Sequence, residues 1–281
     1  MNSHKTNRMV PIILKILDRI PCNAFIHKIL NYNVLASNYI MGIGAGGAVN
    51  NGGEYKLLKI LKKQKNFEYI IFDVGANIGE FTKLCLSFLD NNDSFKIHCF
   101  EPSKTAFNIL TNNLNNNPHV TLNNIGFGKE EGEFDLFYDV EGSPLSSLTK
   151  RKLEHFGIDF SKSEKVTLNT INNYCLLNNI QSIDLLKLDV EGHELDVLSG
   201  AEKLFKNNLI KMVSFEFGGC NIDTRTFFQD FYYFFKKRNM KIYRLTSSGY
   251  LHPIHYYQEQ YEQFRPTNFL AIHNNFSILS N

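Results

Sequence analysis

Apolar runs of strand length alternate with helical spacings along most of this chain. "EYKLLKILKK" (residues 54–63) spaces its apolar positions as a helix does, and "YIIFDV" (69–74) is apolar throughout except for Asp73. "GEFTKLCLSFL" (79–89) returns to helical spacing through Phe81, Leu84, Cys85 and Phe88. "KIHCFEP" (96–102) is a second strand, stopped by Pro102, and "KTAFNILTNNL" (104–114) a helix. "VTLNNIG" (120–126) predicts a short third strand, and "GEFDLFYDV" (132–140) alternates as a half-buried hairpin strand does. After a polar stretch, "KVTLNTINNYCLLNN", "IDLLKLDVEG", "ELDVLSGAEKLF", "IKMVSFEF" and "RTFFQDFYYFFKKR" continue the alternation up to residue 238. "MKIYRL" and "TNFLAIHN" end it as two strands with no obvious helix between them, an expected antiparallel hairpin at one edge.

Repeated strand–helix units with buried strands predict an α/β fold, a mostly parallel sheet covered by helices on both faces. In such sheets ligands bind beyond the carboxyl ends of the strands. That directs attention to Asp73 to Gly79, Glu101, Asn123 to Gly126, Asp189 to His193, and Glu216. Phe231, Tyr232 and Phe235 lie on a helix and are expected in the core.

The N-terminal region is different. In "MVPIILKILDRI" (9–20), Ile13, Leu14, Leu17 and Ile20 share one helical face. Lys15, Asp18 and Arg19 interrupt the run, so it is too short and too charged to span a bilayer. It predicts an amphipathic helix resting on the main domain or on a second subunit, or touching a membrane surface. "MGIGAGGAVNNGGE" (41–54) is a glycine-rich linker or a lid over the site, and lacks the G-K-[ST] of a phosphate loop. The expected division is 1–53, a helical extension with its linker, and 54–281, the main domain.

With 281 residues, 43% of them hydrophobic, one substantial core is affordable. A net charge of +2 demands neither a nucleic acid nor a membrane as partner. Five scattered cysteines without a C-x-x-C pair suggest no zinc ribbon or disulfide framework, so a reducing cytoplasm is the expected compartment.

The chemistry starts at "DVGANIG". A dinucleotide turn reads G-x-G-x-x-G, and here Asn77 holds the middle-glycine position. A side chain there crowds a pyrophosphate and suits a ligand without one, such as S-adenosylmethionine. Gly75 and Gly79 keep the turn tight. Glu101, closing the second strand roughly twenty residues on, is placed to bond ribose hydroxyls. In "LLKLDVEGHELDVL", Lys187, Asp189 and Glu191 fall on one side of a strand, where charge is costly unless paired or functional.

These residues carry a resemblance. "FDVGANIGEFT", "CFEPSKTAFNIL", "IDLLKLDVEGHELDVLSGAEKLF" and "VSFEF" resemble the FkbM family of S-adenosylmethionine-dependent methyltransferases, in order, from about residue 54 onward. The resemblance implies a class I methyltransferase (Rossmann-like) fold: seven strands, mostly parallel, the last inserted antiparallel. It also implies O-methyl transfer to a sugar, glycan or small-metabolite hydroxyl. The "GGE" ending at Glu54 is similar to an element preceding the first helix in some members.

The expected site follows. Gly75, Ala76, Asn77 and Gly79 line the methionine end with Asp73 organising the loop, Glu101 holds the ribose, and Asn124, or the backbone near Ile125, reaches the adenine. Asp189 and Glu191 border the transferred methyl group. His193 is the leading base, with Asp189 or Glu216 behind it. Asp189, Glu191, His193 and Glu216 would together suit a divalent cation, yet no metal is expected. "SPLSSL" and "TKRK" (143–152) read as an exposed, mobile segment over the crevice mouth. A nucleic-acid methyltransferase is disfavoured by the lack of a basic stripe, and a non-catalytic Rossmann-like binding protein by the full set of crevice acids. The partners expected are a small-molecule or glycan acceptor and a second copy through the N-terminal helices.

Overall fold

The computed structural model describes residues 15, 22–46, 53–63, 68–89 and 93–276. The chain divides into two compact units, Met1–Ile40 and Met41–Asn281. The first contains α1 (Ala24–Ile40), a helix with Phe25, Ile29, Tyr32 and Tyr39 exposed. The helix expected over residues 9–20 lies outside the described residues, Lys15 apart. Among the described residues no helix is long and apolar enough to cross a membrane.

The second unit is built on an eight-stranded sheet. Its centre is β1 (Tyr69–Val74), a β-branched and aromatic run that is buried almost throughout. On one side β1 pairs in parallel with β2 (Phe95–Phe100), which pairs with β3 (Val120–Asn123). On the other side it pairs in parallel with β7 (Ile183–Leu188), and β7 with β8 (Ile210–Phe217). The strand order therefore reverses between β1 and β7, which opens a crevice at their carboxyl ends.

Beyond β8 the seven-strand order is completed and then extended. β11 (Thr267–His273) enters antiparallel between β8 and β9 (Met240–Leu245). The edge hairpin expected from β9 and β11 is instead formed by β9 and an eighth strand, β10 (Leu251–Ile254). This strand carries Pro253, which an edge tolerates because no further strand needs its missing N–H. A separate three-stranded sheet holds β4 (Gly126–Phe127), β6 (Lys162–Asn169) and β5 (Gly132–Tyr138) in that order.

Helices cover both faces. α2 (Tyr55–Lys62), α3 (Glu80–Phe88) and α4 (Lys104–Leu114) bury Leu58, Leu61, Phe81, Cys85, Leu110 and Leu114 in one core with Ile71 and Leu185. α5 (Ile171–Leu177), α6 (Glu194–Ser199), α7 (Glu202–Lys206) and α9 (Phe228–Lys236) fill the other with Phe72 and Leu186, and Phe231, Tyr232 and Phe235 are buried there. "ELDVLSGAEKLF" is two helices, not one. They break at Gly200, where a Cβ would lie 2.2 Å from the Gly128 carbonyl oxygen. A short α8 (Cys220–Thr224) follows β8.

The described part of the glycine-rich segment is no free linker. Ile43 and Ala45 are buried, and Gly46 N–H donates to the Pro266 carbonyl at 2.9 Å. Residues 47–52 lie outside the described residues.

Candidate functional site

The turn after β1 owes its shape to two close approaches. Gly75 has φ +77°, and a Cβ on it would sit 1.8 Å from the Asp189 carbonyl oxygen, where β7 ends. The Asp189 N–H donates to the Val74 carbonyl at 3.0 Å, so the two strand ends are fastened together. Gly79 has φ +89° and leads into α3, and a Cβ there would run into the Leu110 and Leu114 side chains. Asn77 takes a left-handed φ of 48°. Asparagine accepts that conformation at low cost, so the residue does part of a glycine's work while adding an amide. Its Oδ1 is buried without a hydrogen-bond partner.

Glu101 ties this turn to β2. Its Oε2 accepts the Asn77 N–H and its Oε1 the Ser103 N–H, both at 2.9 Å. Burial pushes the carboxyl up to about 7, against the pull of those two bonds. Asn124 Nδ2 donates to the carbonyls of Glu101 (2.8 Å) and Pro102 (3.1 Å), so its amide nitrogen is committed to the strand end.

Across the crevice, Asp73 stands opposite Lys187 in the β1–β7 register. Asp73 Oδ2 accepts the Thr82 hydroxyl at 2.7 Å, while Oδ1 has no hydrogen-bond partner and lies 4.0 Å from Lys187 Nζ. Lys187 donates to Asp189 Oδ2 at 3.1 Å and lies over the Phe81 ring. Burial alone would lower this ammonium, but Asp189, Asp73 and Glu54 carry it above its ordinary value. The lysine is thus a buried counter-ion, the paired case that makes a charge in an apolar strand tolerable.

The turn after β7 folds back on itself. Glu191 (φ 50°) and Gly192 (φ 103°) are left-handed, which ends the alternation that would otherwise keep Glu191 beside Asp189. Glu194 is buried, and its Oε1 accepts the N–H groups of Val190 and Gly192, both at 3.2 Å. It therefore staples the turn. Burial pushes this carboxyl up to about 6. Because its folded value lies above the ordinary 4.5, its contribution to stability is present below pH 4.5 and fades as pH rises through 6. Glu194→Gln keeps the accepting oxygen and removes the charge. The variant gains on the wild type by about 2 kcal/mol between pH 4.5 and 7.5, read from urea melts at both pH values. An unchanged difference across that range would refute the assignment.

His193 is held at both ring nitrogens. Nδ1 lies 2.8 Å from Asp196 Oδ2 and Nε2 2.9 Å from the Thr149 hydroxyl. The hydrogen bond to His193 holds the Asp196 carboxyl below its usual range. Glu191 bonds Arg151 at 2.6 Å, and Arg151 Nε lies 3.7 Å from Asp223 Oδ2. The segment expected to be exposed and mobile is anchored instead. The Ser147 hydroxyl donates to the Glu191 carbonyl at 2.9 Å, Ser147 bridges to Phe137 of β5, and Arg151 is largely buried. One guanidinium facing two carboxylates costs too much to leave loose.

Glu216 ends β8 beside the glycine-rich segment, its Oε2 2.7 Å from where a Cβ on Gly46 would lie. Burial, with Asp189 and Glu191 nearby, raises its carboxyl well above the ordinary value. The structure thus groups Asp189, Glu191 and Glu216 within one another's fields, but they do not converge as ligands. Among the described residues no set of three His, Cys, Asp or Glu is placed to hold a metal. Three residues at this site, Arg151, Thr149 and Asp196, were not expected. Asp196 had a signal in its position three residues after His193 on a helix; the other two belong to the 143–152 stretch expected over the crevice mouth, where nothing singled out these residues.

Comparison with known proteins identifies the family. The methyltransferase FkbM domain matches residues 73–242, more than half of the chain. The hexuronic acid methyltransferase AglP of Haloferax volcanii is 27% identical over 53% of this chain and 56% of its own length. The 2-O-methyltransferase NoeI of Sinorhizobium fredii is 26% identical over 50% of this chain and 61% of its own. The chain thus matches less than two thirds of either relative. Among solved structures, the FkbM methyltransferase of Methylobacillus flagellatus is similar at 15% identity and a TM-score of 0.47, over 94% of this chain and 59% of that one.

Proposed function

The chain belongs to the FkbM methyltransferase family, and from that premise we propose that it methylates a sugar hydroxyl with S-adenosylmethionine as donor and His193 as base. The residues fit such a cofactor. Gly75 and Gly79 let the turn close tightly against the end of β7 and against α4, and the left-handed Asn77 sits in that turn with its Oδ1 buried and unpartnered. Gly75, Ala76, Asn77 and Gly79 would face its amino-acid end, Glu101 its ribose and Asn124 Oδ1 its adenine. When bound, S-adenosylmethionine supplies an already activated methyl group.

The protein's remaining task is to place an alcohol and take its proton. One observation carries the base assignment: His193 sits between the Asp196 carboxylate and a hydroxyl. The carboxylate favours the proton on Nδ1, so Nε2 is left as the acceptor. Thr149 Oγ1 marks where an acceptor hydroxyl could present its proton. Asp189 and Glu216 border the same crevice and would orient the acceptor's other hydroxyls. Lys150 and Lys152 are exposed on either side of Arg151 and suit an acidic sugar. The names of the two relatives, one for a hexuronic acid and one for a 2-O position, support this substrate class.

The test combines calorimetry with S-adenosylhomocysteine and NAD⁺ with mass spectrometry of hexuronic-acid and neutral hexose glycosides incubated with S-adenosylmethionine. Heat with S-adenosylhomocysteine alone and a one-methyl mass gain on a hydroxyl are expected. Absence of that heat would sink the proposal.

A further inference from the structure

Arg244 is a buried cation without an anion. It stands on β9, opposite Phe269 of β11 and His252 of β10, and only 7% of it is exposed. Its Nε is buried with no hydrogen-bond partner. Other buried cations of this unit are paired: Lys187 with Asp189, and Arg151 with Glu191. For Arg244 the group that offsets its burial is the Tyr261 phenol, and among the described residues no carboxylate forms an ion pair with it. A guanidinium stays charged when buried, so an unpaired one is a cost that an arriving anion would relieve.

The cation lines a narrow pocket. Arg265, Thr267, Gln260 and Gln263 line it too, with Phe217 from the end of β8, and the lining holds no Asp or Glu. Its walls are fixed by backbone pairing. β11 sets Thr267 against Phe217 in register. The Thr267 hydroxyl donates to the Arg265 carbonyl at 2.7 Å and accepts the Gly44 N–H at 3.4 Å. The Arg265 side chain runs along Gly44, 3.8 Å from where a Cβ would lie. The glycine-rich segment thus closes one side. The space left suits about one water-sized group, the tip of an oxyanion and not a sugar ring. Two guanidiniums and two amides offer it N–H donors, and a guanidinium fork matches the paired oxygens of a carboxylate or phosphate.

We propose that Arg244, with Arg265 beside it, seats an oxyanion of the acceptor, a carboxylate or a phosphate group, at the carboxyl end of β8. Phe217 directly follows Glu216, so the seat adjoins the crevice wall. The inference rests on the sugar-acceptor reading above and adds a specificity determinant to it. Lys150 and Lys152 are exposed and offer a field that salt screens, whereas Arg244 offers a desolvated fork.

The probes are glucuronate, glucose 6-phosphate and glucose, added to wild type, Arg244→Leu and Arg244→Lys in the presence of S-adenosylhomocysteine. Affinities are read from the rise of the melting temperature with ligand concentration. Wild type should bind at least one of the two anions roughly 10–100-fold tighter than glucose, the range of a charge-assisted hydrogen bond, and the tighter one identifies the oxyanion. Arg244→Leu should lose that preference, and Arg244→Lys, which keeps the charge without the fork, should retain part of it. Unliganded Arg244→Leu should melt no lower than wild type, because it removes an unpaired buried charge. If it melts several degrees lower, the guanidinium supports the fold and the proposal is overturned. Equal binding of all three sugars by wild type, or a preference that survives in Arg244→Leu, overturns it as well. None of these readings requires methyl transfer. A preference lost in Arg244→Leu upholds the seat even if no sugar is methylated, while methylation without a preference refutes the seat and leaves the methyl-transfer reading standing.

Discussion

Replacing His193 with alanine lowers kcat by about 10²–10⁴-fold while leaving the S-adenosylhomocysteine affinity within about twofold, the signature of a general base that does not hold the cofactor. The asymmetry comes from where the histidine is placed. Its contacts are Asp196 on its own helix and Thr149 from the opposing segment, not the turn of Gly75 to Gly79. An Asp196→Asn variant frees Nδ1 from its preferred proton and should lower kcat without changing binding. A wild-type turnover in both variants would remove His193 from the mechanism and leave Asp189 or Glu216 as the base.

Gly75→Ala should be the most damaging single-atom-scale change in the second unit. Two penalties add: a left-handed φ of +77° for a residue with a Cβ, and that Cβ placed 1.8 Å from the Asp189 carbonyl oxygen. The oxygen cannot simply retreat, because the Asp189 N–H is bonded to the Val74 carbonyl. Conformation alone costs about 1–3 kcal/mol, and the overlap adds a comparable amount or more. The melting temperature should fall by roughly 10 °C or more, and S-adenosylhomocysteine binding should be lost. Gly157→Ala is the control, since its φ of +72° is similar and no atom lies within 4 Å of its Cβ position. If the two variants behave alike, the close approach has no weight.

Much of this arrangement is legible in the residues because its signals are local. The strand–turn–helix from Tyr69, the acid at Glu101 and the block around Lys187 declare themselves by run length, glycine spacing and charge in an apolar strand. The unread parts depend on distant pairings. Nothing near "TNFLAIHN" says that this strand slips between β8 and β9, and nothing near Arg151 says that it meets Glu191. Glu54 resembles any helix-entry acid until the structure shows it buried among like charges. Glu194 opens a helix, where a negative charge is favourable in any case, yet its position in the turn makes it a staple whose partners are the two N–H groups just before it.

The antiparallel β11 also shapes how the sheet can assemble. β8 and β9 are made earlier in the chain, both are apolar, and β9 runs in the direction that would let it pair with β8 in parallel. Native order requires that this pairing be refused and a gap of one strand width be held open until residues 267–273 arrive, some fifty positions after Phe217. A premature β8–β9 ladder would be a trap that must dissolve before folding completes, and long-range closures of this kind are slow. The hairpin partner β10 takes up only the far edge of β9 through a short loop, so the near edge is the one still to be filled.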